Sequence, residues 1–162
     1  MLIATPTATA SEALTCADTE VNSKDFDLPG KKPATEVHAE VCTEKVDGKI
    51  HASVGFTWQI LDDQALDQGQ RWDSFTVTPR LKTRPSKDGT ETVAAQMRCD
   101  LTKKLNSTLA NADAESVTCG LPAQNITPGS LYFADASVTF TIHDGKEGME
   151  KWELTGSPLA IV

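Results

Sequence analysis

The chain contains 162 residues, with a formal net charge of −8 and a pI near 4.8. This acidic balance excludes nucleic acid as a partner, because phosphate groups require a basic stripe that the sequence lacks. No apolar run approaches the roughly 18 residues of a membrane span, which excludes membrane insertion, and the length fits one domain.

The four cysteines, Cys16, Cys42, Cys99 and Cys119, point to two disulfides. No pair has the close spacing of a zinc knuckle or ribbon, so we predict neither a metal site nor a cofactor. Disulfides persist outside the reducing cytosol, and the sequence therefore predicts a secreted, extracellular protein. Each bond is expected to add about 2–4 kcal/mol, mainly by restricting the unfolded chain.

The N-terminal region divides into two parts. Residues 1–10, MLIATPTATA, end in the small-x-small pattern of a signal-peptidase site, although a charged n-region is missing. They are interpreted either as the remnant of an export signal or as a flexible leader. Residues 11–34 form a polar N-terminal segment tethered by Cys16, and residues 35–162 form the folded domain.

The first predicted hairpin centres on Asp47-Gly48, a preferred dipeptide of two-residue turns, between two runs of alternating residues. This turn pairs Val46 with Lys49. Three further pairs then share one apolar face: Val41 with Val54, Ala39 with Phe56 and Val37 with Trp58. The opposite face is polar and holds Glu36, His38, Glu40 and Glu44. Because Cys42 lies on that face, only a segment crossing outside the sheet can bridge it, and we predict a Cys16–Cys42 disulfide.

Two further hairpins follow. A third strand runs from Trp72 to Leu81, and Asp88-Gly89 turns it into a fourth strand. The fourth strand is predicted to place five side chains on one face: Val93, Ala95, Met97, Cys99 and Leu101. Cys99 is then expected to bond to Cys119 in or beside the core, closing a loop that holds one short helix. The last hairpin runs from Tyr132 to Ile142, turns over residues 143–146 and returns through Trp152 and Leu154.

Short strands separated by turns predict an all-β fold. We expect an antiparallel β-sandwich of immunoglobulin-like size, with about seven strands and two disulfides. The sequence shows neither an internal repeat nor a second domain.

Catalytic chemistry is not predicted. His38, His51 and His143 lie in no recognisable catalytic motif, and a Gly-x-Ser-x-Gly nucleophile elbow is missing. Asp144 is expected to point away from His143 in an extended chain. We therefore predict that the protein is not an enzyme and has no catalytic residues. A histidine held between a carboxylate and a nucleophile in a cleft would reverse that prediction.

Two other kinds of binding site were weighed. Asp62, Asp63, Asp67 and Asp73 offer oxygen ligands suited to calcium within loop 62–73, but their spacing is not that of an EF-hand and a solvated loop is favoured. Trp72 and Tyr132 are candidate stacking platforms for a sugar, whereas Trp58 and Trp152 are predicted to be core residues.

Several segments resemble small secreted proteins of actinobacteria, most closely the adaptor subunit of umbrella toxin particles. The segments are Val41-Cys42, Trp72-Asp73-Ser74-Phe75-Thr76-Val77, Arg98-Cys99-Asp100, Thr118-Cys119, Asp144-Gly145-Lys146 and Trp152-Glu153-Leu154-Thr155-Gly156-Ser157-Pro158. In those antibacterial assemblies the adaptor joins a lectin-bearing protein to the repeat-built spokes of a large toxin polypeptide. The resemblance implies an N-terminal docking peptide, here the polar and mobile residues 11–32. The candidate partner-binding residues are Asp18, Glu20, Asp25, Phe26 and Leu28.

The leading hypothesis is thus a secreted, non-enzymatic module that binds another protein, by strand addition at a sheet edge or by docking of an extended terminus. Its partners would be a large repeat-containing toxin and a lectin. Two alternatives are a carbohydrate-binding module that uses Trp72 and Tyr132, and a protease inhibitor that presents the loop between Cys99 and Cys119.

Overall fold

Two antiparallel sheets pack face to face as a β-sandwich, confirming the predicted fold class. The structure is a computed structural model, and it describes residues 13–30, 32, 34–61, 70–107 and 115–161. The leader, residues 1–10, and the aspartates at 62, 63 and 67 lie outside the described residues. No helix in the described part of the chain has the length and apolar character needed to span a bilayer.

The described elements follow one another in a simple order, with one short helix among the strands. They are β1 (Ala13–Cys16), a 3₁₀ turn (Thr19–Asn22), β2 (Ser23–Phe26), β3 (Thr35–Val46), β4 (Lys49–Ile60), β5 (Trp72–Arg84), β6 (Thr92–Gln96), β7 (Cys99–Asp100), α1 (Thr102–Ser107), β8 (Glu115–Gly120), β9 (Gln124–Asn125), β10 (Leu131–Ile142), β11 (Glu150–Leu154) and β12 (Ala160–Ile161). Sheet A has the order β1-β3-β4-β8, with β2 also paired to β3 and β9 to β4. Sheet B has the order β11-β10-β5-β6, with β12 also paired to β10 and β7 to β5.

The first hairpin forms in the predicted register. Val46 pairs with Lys49, and the three predicted apolar pairs follow along β3 and β4. Asp47 and Gly48 have φ angles of 52° and 70°. A two-residue turn with both residues in this left-handed region has a twist that matches the flanking strands, which fixes the register of the whole hairpin.

The core lies between the two sheets and is centred on aromatic rings. Phe26 contacts Phe140 at a centroid distance of 5.0 Å and Trp72 at 5.7 Å, both edge to face. Edge-to-face pairs add stability beyond the area that they bury. Trp58 and Phe56 are each 1% exposed, and Val37, Ala39, Val41, Ala52 and Val54 are fully buried. The prediction that Trp58 belongs to the core is confirmed.

The predicted disulfide Cys99–Cys119 is present and joins the two sheets. Cys99 belongs to β7 in sheet B, whereas Cys119 belongs to β8 in sheet A and is 3% exposed. The helix α1 lies in the loop that this bond closes, as the sequence predicted. The bond therefore fastens one layer of the sandwich to the other.

The predicted Cys16–Cys42 disulfide is also present. The N-terminal segment that carries Cys16, however, does not lie where the sequence predicted. Cys16 lies directly opposite Cys42 in the β1–β3 ladder, with the Cα atoms 4.1 Å apart. The N-terminal segment therefore joins sheet A edge to edge and does not cross its outer surface. Strand pairing explains this, because residues opposite each other in adjacent antiparallel strands bring their Cβ atoms close together.

The fourth predicted strand contains a β-bulge that changes the face of its first residue. Leu81 pairs with Ala95 but Lys82 pairs with Val93, which leaves Ala94 as the extra residue. A bulge shifts the alternation by one position. Val93 consequently points outward with Lys82, and it is 49% exposed. The expectation that Val93 shares the inner face with Ala95 and Cys99 is wrong.

The N-terminal segment is an integral part of the sandwich from Ala13 onward. The strands β1 and β2 both pair with β3, on either side of the 3₁₀ turn. Asn22 is 1% exposed and closes this edge: its side-chain amide donates to the carbonyl oxygen of Thr155 at 2.9 Å and its Oδ1 accepts from the N–H of Thr155 at 2.6 Å. The residues of β1, the turn and β2 are therefore ordered parts of the sheet edge, and a docking role for this segment stays a prediction.

Candidate functional site

The outer side of sheet A collects carboxylates. Side chains alternate along a strand, so the residues next to the core positions Val37, Ala39 and Val41 point away from the core. Four carboxylates share this outer side, which we call the acidic face: Asp25, Glu36, Glu40 and Glu44. Within the strands that the structure describes, Lys49 beside the turn is the one lysine or arginine at the same alternation. The face is therefore strongly negative.

Two histidines lie among these carboxylates. Nε2 of His38 is 2.6 Å from Oε1 of Glu36, and Nε2 of His51 is 3.3 Å from Oε2 of Glu44. A neutral imidazole donates one hydrogen bond but cancels no charge. The acidic face consequently keeps its negative charge wherever the two rings are neutral.

His38 also contacts a hydroxyl, in an arrangement that resembles a catalytic triad. Its Nδ1 lies 2.6 Å from Oγ of Ser23, opposite the contact with Glu36. Oγ of Ser23, however, is also 2.9 Å from the carbonyl oxygen of Thr19. A serine hydroxyl has a single hydrogen, so it cannot donate to the carbonyl oxygen of Thr19 and to Nδ1 of His38 at the same time.

A cleft lies beside the contacts of His38. The cleft has a volume of about 200 Å³ and is lined by Thr19, His38, Glu40, Gly55, Phe56, Thr57, Ser116, Val117 and Thr118. Ser23 is not among these residues, whereas a serine nucleophile has to face the space that a substrate occupies. The contact of His38 with Ser23 links β2 to β3.

The five predicted partner-binding residues fall into two groups. Asp18, Glu20 and Asp25 are exposed, and Oδ1 of Asp18 accepts from the N–H of Glu20 at 3.0 Å, which caps the 3₁₀ turn. Phe26 is 2% exposed and belongs to the aromatic core, so its position does not support the predicted contact with a partner. Leu28 is half-buried and packs against the same core.

The N-terminal edge carries two exposed apolar side chains, Leu14 and Val21, which the sequence did not predict as binding residues. Leu14 of β1 is 61% exposed and lies opposite Glu44, and Val21 of the 3₁₀ turn is 58% exposed. A signal for Leu14 was available. It stands two residues before Cys16, so a bond from Cys16 to the outward Cys42 places Leu14 on the outer side as well.

The disulfide Cys16–Cys42 lies within the acidic face, next to Glu40. Oε1 of Glu40 is 3.7 Å from the sulfur of Cys16 and 3.5 Å from that of Cys42. These three groups are close enough to surround a metal ion. Both sulfurs are already bonded to each other, however, and a metal requires the thiolate form.

The outer side of sheet B has a different electrostatic character, and we call it the ion-pair face. Asp135 accepts from Nε of Arg80 and from Nζ of Lys82, each at 2.6 Å. Nζ of Lys82 also lies 2.7 Å from Glu91, which in turn bonds Nη2 of Arg84 at 3.0 Å. The bond to Asp135 raises the pKa of Lys82, and the bond from Lys82 lowers the pKa of Glu91.

The aromatic platforms proposed for sugar stacking are buried. Trp72 is fully buried and Tyr132 is 3% exposed. The hydroxyl of Tyr132 accepts from the N–H of Thr127 at 2.9 Å. Both rings belong to the core, so the basis of the carbohydrate-binding alternative is removed. Phe133 is the ring on the outer side of sheet B, beneath Lys82 and Arg84 at 5.8 and 5.4 Å from its centroid.

The remaining histidine lies in the last hairpin turn. Nδ1 of His143 is 2.7 Å from Oδ1 of Asp73, and its Nε2 is 3.6 Å from Oδ2 of Asp144. Asp144 has a φ of 58°, so the chain is not extended there and its side chain turns toward the ring. The expectation that Asp144 points away is wrong. Asp73, the described member of the proposed calcium loop, is thus in contact with His143.

Comparisons of the chain with protein-family models, with curated proteins and with solved structures found no match.

Proposed function

We propose that this protein is a secreted, non-enzymatic module that binds a basic surface of another protein through its acidic face and the adjoining N-terminal edge. The observation that supports this proposal is the collection of carboxylates on one side of sheet A, where Lys49 is the one lysine or arginine in the described strands. Asp18 and Glu20 extend the negative region onto the 3₁₀ turn.

Exposed apolar side chains supply the water-excluding contacts that charged groups alone do not. Leu14 and Val21 are solvent-exposed, Leu14 lies opposite Glu44, and Val21 follows Glu20 in the 3₁₀ turn. Protein interfaces combine an apolar centre that excludes water with a polar rim that sets orientation. Carboxylates then raise the association rate toward a basic partner, while the apolar contacts slow dissociation.

Secretion is supported by the disulfides, since both cysteine pairs are oxidised and such bonds persist in oxidising compartments. Fractionation of the producing cells, followed by alkylation of free thiols, tests this part. We expect the protein in the medium, with all four cysteines protected.

The narrower proposal is that the module is the adaptor of an umbrella toxin particle, joining a lectin to a large repeat-containing toxin. It is supported by the sequence resemblance and by two outer faces of different chemistry, which suit two different partners. Purified spoke and lectin proteins test it directly. Binding of neither protein would contradict the adaptor role and leave the more general proposal to the experiment below.

The general proposal is tested with partners captured from culture medium on the immobilised protein, identified by mass spectrometry and then purified. A variant with Asp25→Lys and Glu40→Lys reverses two exposed charges of the acidic face. We expect at least about tenfold weaker binding, together with a smaller salt dependence of the association rate.

The matched control carries Asp88→Lys and Glu147→Lys, which reverse two exposed charges in turns of sheet B. It changes net charge by the same amount and is expected to bind like the wild type. Equal losses in the two variants would show a response to net charge alone and would contradict binding through the acidic face.

A further inference from the structure

The strand β6 forms an unprotected edge of sheet B. It pairs with β5 on one side, and no strand among the described residues pairs with its other side. Its sequence, TVAAQ, contains no charge, proline or glycine. The other edge strands of five or more described residues carry charges, Glu115 in β8 and Glu150, Lys151 and Glu153 in β11. Natural proteins usually protect such edges with charges or proline, so β6 is suited to pairing with another strand.

The side chains of this edge are also apolar and accessible. Val93 is 49% exposed and Met97, which follows the strand, is 37% exposed. The two ends of the edge are charged, with Glu91 before the strand and Arg98 after it. The edge is therefore an uncharged stretch between one negative and one positive group.

The β-bulge places these charges on the same side of the sheet. Val93 lies opposite Lys82, so Val93 and Glu91 share the outer side. Beyond the bulge, Gln96 lies opposite Arg80, and the same register pairs Cys99 with Val77, which places Arg98 outward as well. Two residues on opposite sides of the bulge thus share a face when they are an odd number of positions apart.

This offset permits a face-matched register for pairing β6 with a second copy of itself. An antiparallel pair with Val93 opposite Gln96 and Ala94 opposite Ala95 brings outward side chains together. The same register sets Glu91 of each copy opposite Arg98 of the other. The charges at the two ends of the edge are thus complementary in an arrangement that also matches the faces, and this complementarity favours that register.

We infer that two copies of this chain pair antiparallel through their β6 edges and continue sheet B across a twofold axis. Glu91 of each copy then faces Arg98 of the other, which adds a third cation to a carboxylate already bonded to Lys82 and Arg84. A single strand edge buries little area, so the dimer is weak and forms at high protein concentration. It presents two acidic faces, which increases avidity for a multivalent partner.

Sedimentation equilibrium over a range of concentrations tests this inference, in about 0.15 M salt to screen the net charge. The wild type is expected to show a monomer–dimer equilibrium. Arg98→Glu and Glu91→Arg each replace two attractions by two repulsions, and each is expected to weaken dimerisation on the order of tenfold. An equimolar mixture of the two variants restores attraction at both pairs and is expected to form the heterodimer.

Lys87→Glu and Asp88→Arg are matched controls, because they make the same charge changes in the turn between β5 and β6. Both are expected to dimerise like the wild type. If Glu91→Arg fails to fold, as judged by its melting curve, Arg98→Glu suffices by itself. A wild type that stays monomeric at all concentrations, or a dimer that resists Arg98→Glu, would overturn the inference.

Discussion

The two outer faces of the sandwich differ in how their charged side chains are paired. On the ion-pair face, Arg80, Lys82 and Arg84 interlock with Asp135 and Glu91 through bonds of 2.6–3.0 Å. On the acidic face, the described partners of the carboxylates are histidines, and the other nearby groups are hydroxyls, backbone and a disulfide. Both faces belong to the same kind of antiparallel sheet.

This difference separates charges that serve the fold from charges that are available to a partner. Lys82 and Asp135 are each less than one fifth exposed, and pairing offsets their loss of water. Glu40 is exposed and has no described cation beside it. We therefore expect substitutions on the ion-pair face to affect stability, and substitutions on the acidic face to affect binding.

The largest expected effect is at Asn22, which fastens the edge of the acidic face to the end of β11 in sheet B. Asn22→Ala removes both bonds to the backbone of Thr155 and leaves its N–H and carbonyl oxygen without them. A loss of about 2–3 kcal/mol in the free energy of unfolding is expected, measured by urea denaturation. Ser23→Ala is the control, because its exposed hydroxyl is expected to contribute less than about 1 kcal/mol. Equal effects would contradict the fastening role of Asn22.

The next largest effect is expected at Asp135, and the same substitution at Glu40 allows the two faces to be compared directly. Asp135→Ala leaves Arg80 and Lys82 without their shared carboxylate, and a loss of about 1–2 kcal/mol is expected. Glu40→Ala removes an exposed carboxylate from the acidic face and is expected to change stability by less than about 0.5 kcal/mol. Thermal melting of the two variants measures both values. A Glu40→Ala variant as unstable as Asp135→Ala would show that the two faces do not differ in this way.

The ion-pair face also predicts how stability depends on pH. The bond from Lys82 lowers the pKa of Glu91 in the folded state. A lowered carboxyl pKa gives stability that is present above the unfolded value of about 4.3 and is lost as the pH falls through the folded pKa. Glu91→Gln is therefore expected to flatten the decline of the urea midpoint below about pH 5. A decline as steep as that of the wild type would contradict the contribution of Glu91.

Local patterns in the sequence predicted the elements that depend on neighbouring residues. The Asp47-Gly48 turn fixed the β3–β4 register because two adjacent left-handed residues determine both strands. The cysteine pairs followed from strand faces and chain distance. The helix α1 was predicted only as one short helix in its loop, because six residues give a weak helical pattern.

Features that depend on distant parts of the chain were not predictable. Phe26 stands alone in a polar segment, and its burial depends on Phe140 and Trp72 from the other sheet. The bulge at Ala94 was not predictable, because Val93, Ala94 and Ala95 are all apolar and give no alternation that would show an extra residue. The contact of Arg80 with Asp135 joins residues 55 positions apart and exists only once β5 pairs with β10.

The smallest expected effect is a gain in stability on the acidic face. Asp25 lies directly opposite Glu36 in the β2–β3 ladder, and like charges in such a pair are destabilising. Asp25→Lys places a cation there and is expected to raise the free energy of unfolding by about 0.5 kcal/mol, whereas Asp25→Asn, which only removes the repulsion, is expected to give about half of that gain. The lysine variant is nevertheless expected to bind the partner more weakly. A variant that is more stable and binds less well would show that the carboxylate at this position serves binding at a cost to the fold. Unchanged binding would show that Asp25 does not contribute to partner binding.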